Sequence, residues 1–133
     1  MENLVSSHPL LPEEQVRQRL LVHLESLHYP KALIACEKEI SGLPQSNRKL
    51  KRRLDVIVYA KDEHNLRPLL VIECKAKHVT QSALEQVLGY NDVIKAPFVA
   101  VVGSHDALIA RSDGEPLSGI PTYDQLLSQA VWN

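Results

Sequence analysis

The sequence predicts an α/β domain in three α/β/α layers, with a central mixed β-sheet flanked by helices. Three observations predict it. Short apolar runs alternate with segments of helical period. Two of those runs, "LDVIVYA" and "LLVIECKA", are joined by a short polar connection, which makes an antiparallel hairpin. A helical segment then separates the second run from "FVAVVG", which calls for a parallel, right-handed crossover. Unbroken apolar runs of this kind belong to strands covered on both faces.

The elements follow in order. "LPEEQVRQRLLVHLESLHYP" reads as the first helix: Pro12 suits a first-turn position, Glu13 and Glu14 follow it, and Pro30 closes the segment. Val16, Leu20, Leu24 and Leu27 form its apolar stripe. "ALIACEKEI" reads as a strand ended by "SGLP". The hairpin comes next, turning around "KDEHNLRP". "SALEQVLGYNDVIK" is the second helix, with Ser82 and Glu85 at capping-box spacing and Pro97 beyond its end. After "FVAVVG", "DALIARSDGEP" is expected to add a strand and "TYDQLLSQAVW" a short helix. One domain over 1–133 is expected, with a core at about 12–103 and an extension at 104–133.

Composition narrows the class. A net charge of −1 does not announce a nucleic-acid binder, but Arg48, Lys49, Lys51, Arg52 and Arg53 crowd into "RKLKRR". Cys36 and Cys74 form neither a disulfide framework nor a zinc spacing; both sit in apolar runs, so buried thiols in a reducing compartment are expected. No apolar run approaches a membrane span, and the N-terminus lacks the basic and hydrophobic regions of a leader, so a cytoplasmic protein with no membrane partner is expected. The histidines show neither H-x-H nor helical i, i+4 pairing. G-x-G-x-x-G, Walker and G-x-S-x-G motifs are absent, which argues against a metabolic α/β enzyme.

The chemistry concentrates in the hairpin. Glu73 and Lys75 alternate onto one side of their strand, and Cys74 onto the other. With the hairpin centred near His64, Asp55 stands opposite Glu73. Two half-buried carboxylates so placed repel each other unless a divalent cation lies between them, and hard oxygen ligands select magnesium. Taken alone, E-x-K at a strand end is a surface ion pair of little worth. Its position after "LLVI", opposite an aspartate and before a helix, gives it meaning.

"LD…LLVIECKA" resembles the D…(D/E)-x-K core of the PD-(D/E)XK nuclease superfamily, with Leu54 in place of the usual proline. Gln86 and Tyr90 in "QVLGY" are similar to the Q-x-x-x-Y motif of its RecB-like and type I restriction branches. "PEEQVRQRLL" resembles the opening helix of the N-terminal nuclease domain of type I restriction enzyme R subunits. The likeness runs from about Pro12 to Gly103; beyond it, "GSHD" replaces the family's frequent Asn-Gly turn.

The resemblance implies a restriction-endonuclease-like fold and hydrolysis of DNA phosphodiesters with Mg²⁺, for which Mn²⁺ would substitute. Asp55 and Glu73 would hold the metal with the carbonyl of Cys74, Lys75 would serve the attacking water, and Gln86 and Tyr90 would assist. An acidic residue of the first helix also points inward in such nucleases. Helical phase favours Glu13, whereas the Glu14-x-x-Arg17 spacing makes Glu14 the ligand the resemblance implies, and the choice stays open; Glu37 is a weaker candidate. Arg48, Lys49, Lys51, Arg52 and Arg53 would grip phosphates. These residues include no helicase motor, so motor or specificity subunits, or a second copy, are expected partners. The competing expectation is a catalytically inactive nuclease-fold module that binds nucleic acid or protein.

Overall fold

The computed structural model describes residues 11–39 and 53–132, with the backbone alone at residues 38, 39 and 53. Helix α1 (Pro12–Ser26) opens with Glu14 Oε1 accepting the N–H of Leu11 at 3.2 Å, which satisfies a donor the helix leaves free. It ends where His28 turns left-handed and Tyr29 N–H donates to Leu24. A short 3-10 turn leads into β1 (Ile34–Glu39). The hairpin is β2 (Arg53–Lys61) and β3 (Leu66–Cys74), and its turn is closed by Asn65 N–H donating to Asp62 Oδ1 at 3.1 Å.

Helix α2 (Gln81–Ile94) corrects the expected cap. Thr80, two residues before Ser82, is the N-cap, and its hydroxyl accepts the N–H of Ala83 at 3.0 Å. A hydroxyl already stands at the earlier position, so the helix extends back to it and Ser82 falls inside the first turn. At the other end Lys95 is left-handed, and the buried amide of Asn91 bonds both the N–H and the carbonyl of Ala96. Strands β4 (Phe98–Val102), β5 (Ala107–Arg111) and β6 (Pro116–Leu117) precede α3 (Tyr123–Gln129).

Among the described residues, six strands form one sheet in the order β1-β2-β3-β4-β5-β6. β3 and β4 run parallel across the α2 connection, and every other neighbouring pair is antiparallel. Alternation splits the core into two layers. On one face Val16, Leu20 and Leu24 of α1 and Leu126 of α3 pack with Val56, Leu70, Ile72 and Phe98. On the other, Leu84 and Val87 of α2 pack with Ile57, Val71, Val99 and Val101. This is the α/β/α, restriction-endonuclease-like arrangement. The sheet and core run on past Gly103: Tyr123 rests against Tyr29 with ring centroids 5.3 Å apart, and its hydroxyl donates to the carbonyl of Tyr59. The thiols do not behave alike. Cys74 is buried, but Cys36 is exposed on β1, which among the described residues stands at the edge of the sheet with a neighbour on one side only.

Candidate active site

One irregularity sets the site's geometry. Near the turn Lys61 pairs with Leu66 and Tyr59 with Pro68, but further along Val58 pairs with Leu70 and Val56 with Ile72. Leu69 is therefore an extra residue, a bulge beside a proline that has no N–H to give the ladder. Continued one step, the shifted register brings Asp55 level with Glu73. Without the bulge Asp55 would stand opposite Ile72, and the two carboxylates would point to opposite faces. The hairpin is thus not symmetric about His64; the bulge supplies the register that symmetry only mimics.

Asp55 is part-buried, and its Oδ2 accepts the backbone N–H of Cys74 at 2.6 Å, which ties the start of β2 to the end of β3. Glu73 Oε2 lies 3.6 Å from Lys75 Nζ. Its other oxygen, Oε1, is buried with no hydrogen-bond partner among the described residues. Burial above all, then the charge of Asp55, pushes the Glu73 carboxyl up to about 7, against the pull of Lys75. Burial also raises Asp55, outweighing the Cys74 N–H and the positive charges of Arg17 and Lys75. Both carboxyls thus resist ionisation until positive charge arrives.

The first helix enters through Glu13, whose charge raises both Asp55 and Glu73. Glu14 spends Oε1 on its own helix terminus. One turn further on, Arg17 Nη1 donates to Glu37 Oε2 at 2.7 Å. Sequence reasoning named Glu37 only weakly and gave Arg17 no role of its own; the i, i+3 and i+4 spacings from Glu14 and Glu13 were the available signal. Cys74 contributes its main chain, since burial pushes the thiol up to about 12. Gln86 is exposed on α2, and Tyr90 packs against the layer that contains Val71, two residues before Glu73 on the same side of β3. Arg48, Lys49, Lys51 and Arg52 lie outside the described residues, and Arg53 is described only as the backbone that opens β2.

The segment after Lys75 is held from the β4–β5 turn. Lys75 N–H donates to the carbonyl of Val102 at 2.8 Å. Val79 N–H donates to Asp106 Oδ1 at 3.3 Å, and His78 Nδ1 lies 3.5 Å from the same carboxylate. Gly103 is required here, since a Cβ would collide with the carbonyl oxygen of Lys77.

These groups fit a hard divalent cation. Among the described residues no three His, Cys, Asp or Glu side chains cluster as a ready cage. A buried carboxylate oxygen without a partner, beside a second carboxylate that its own charge disfavours, still provides two anionic oxygen donors of the type Mg²⁺ takes when water and phosphate complete its shell.

A family model described as the N-terminus of type I restriction enzyme R protein matches residues 12–121. No curated protein matches the chain. Among the described residues, no helix is long and apolar enough to cross a membrane.

Proposed function

This chain belongs to the type I restriction enzyme R protein N-terminal family, and we propose that it is a metal-dependent DNA endonuclease centred on Asp55, Glu73 and Lys75. The observation that carries the proposal is the buried, unpartnered Oε1 of Glu73 beside Asp55. A polar atom in that state costs stability, and such a cost persists where chemistry needs the group.

Asp55, Glu73 and the carbonyl of Cys74 would hold Mg²⁺, or Mn²⁺ in its place, with Glu13 or Glu14 completing the acidic set from α1. A cation bound there would supply Lewis acidity toward the phosphate and a more acidic water. Lys75, tethered to Glu73, orients the attacking water and offsets the charge that builds on the phosphate oxygens. In the reaction a water oxygen bonds to phosphorus, one ester P–O bond breaks, and the leaving oxygen takes a proton. Gln86 and Tyr90, one helical turn apart, would steady Lys75 or the DNA backbone from α2. The basic run Arg48, Lys49, Lys51, Arg52 and Arg53, just ahead of β2, would hold neighbouring phosphates without reading bases. Motor or specificity subunits, or a second copy of this chain, are the partners this reading proposes.

Nicking of supercoiled plasmid tests this directly. Wild type with Mg²⁺ or Mn²⁺ is expected to produce open circles, and Lys75→Ala to produce none. DNA binding with no wild-type nicking in either metal would replace the enzyme with an inactive nuclease-fold module.

A further inference from the structure

Strand β1 carries an unusual residue beside the site. Glu37 has φ +55°, in the left-handed region that residues with a Cβ seldom occupy. The β1–β2 ladder pairs Cys36 with Val56 and Lys38 with Leu54, and it skips the pair between them, Glu37 with Asp55. The distorted residue therefore stands level with the proposed metal ligand. Its carboxylate accepts a hydrogen bond from Arg17 of α1 at 2.7 Å. Arg17 is only 18% exposed, and its charge reaches both Asp55 and Cys74.

We propose that Arg17 and Glu37 form a positioning clamp that aims the Asp55 carboxylate, a role that rests on reading Asp55 as part of the active centre. Stability does not account for the arrangement. A left-handed glutamate opposes folding, and an ion pair whose acidic partner is 51% exposed returns little. Strain of this kind persists where surrounding structure over-determines it, at sites that use the resulting geometry. Here the geometry is specific. The distortion keeps β1 from forming a regular pair at Asp55, and the bond to Arg17 anchors that distortion to α1. The Arg17 cation is then fixed near Asp55, whose Oδ2 stays on the N–H of Cys74 at 2.6 Å. Arg17 and Glu37 act through Asp55 and need not touch substrate.

The Cys74 amide is a built-in reporter, because its N–H is the donor to Asp55. Its proton shift and exchange rate can be read by NMR in the metal-free protein, with Asp55→Ala marking the value when the bond is lost. Arg17→Met and Glu37→Ala are each expected to move the Cys74 amide most of the way to that mark. Its exchange should quicken about tenfold, as for loss of one charge-assisted hydrogen bond. The amides of Ile72 and Val101, in the same sheet, should hold. A wild-type Cys74 amide in the folded variants overturns the clamp, as does an equal shift at Ile72 and Val101, which would be general loosening. If Arg17→Met fails to fold, Glu37→Ala alone decides. Neither metal nor DNA enters this measurement, so a protein that never cleaves DNA still gives a clear answer on the clamp.

Discussion

Glu73 engages Lys75 with one carboxylate oxygen and leaves the other buried alone: Oε2 lies 3.6 Å from Lys75 Nζ, while Oε1 has no hydrogen-bond partner among the described residues. Asp55 adds a second negative charge that makes Glu73 harder to ionise. The pair is arranged against its own stability.

Divalent metal should stabilise the protein by mass action. At tenfold excess over Kd the gain is about 1.4 kcal/mol, or roughly 5 °C in Tm for a domain of this size. Asp55→Asn and Glu73→Gln should each remove the gain, whereas Lys75→Ala should keep it and lose cleavage. Thermal melts with EDTA and with Mg²⁺ or Mn²⁺ check this; a wild-type melt indifferent to both metals counts against the site.

The metal-free protein should lose stability as pH rises. Glu73 ionises at about 7 when folded, against an ordinary 4.5, so the folded state keeps a proton that the unfolded chain releases between those values. Stability is highest below about 4.5 on this account, falls through the interval and stays low above about 7. Asp55, also raised, adds a contribution of the same sign. The Glu73 share is about 2 kcal/mol after discounting for partial exposure. Glu73→Gln should flatten the profile and exceed wild type at pH 8, as denaturant titrations in EDTA would show. Equal pH profiles for the two proteins would remove the argument from burial.

Replacing Lys51, Arg52 and Arg53 by glutamine should weaken DNA binding and reduce its salt dependence. Each lost phosphate contact lowers the log–log slope by about 0.9, so three contacts lower it by about 2.7. Fluorescence anisotropy on a short duplex across salt concentrations measures both. An unchanged slope assigns these cations to solvent.

Gly103→Ala should destabilise the fold by about 2–3 kcal/mol. The new methyl would collide with the backbone oxygen of Lys77 and lie 2.7 Å from Asp106 Oδ1. A backbone oxygen cannot rotate away, so the β4–β5 turn must lift from the segment that follows Lys75. Cleavage should fall along with stability. Denaturation showing wild-type stability would mean that this turn does not clamp that segment.

Local chemistry alone determined much of this protein. Periods of two and of about 3.6 residues marked the strands and helices, and alternation placed Glu73 and Lys75 on one side of the chain where β3 ends, because these patterns are written within a few neighbouring residues. Tertiary structure decided what depends on residues far apart. The bulge at Leu69 follows from how β3 docks on β2 around Pro68, and the register it leaves at Val56 and Ile72, continued one step, sets Asp55 level with Glu73. The left-handed Glu37 is held by Arg17 from another element, and Cys36 is exposed on β1, which among the described residues stands at the edge of the sheet. Helical phase and motif spacing pointed to different glutamates at the start of α1; in the structure the helix's approach to the sheet lets the charge of Glu13 reach the carboxyls, while Glu14 caps its own helix. Register, strain and approach angle are set by sums of many long-range contacts, and no short stretch of sequence contains them.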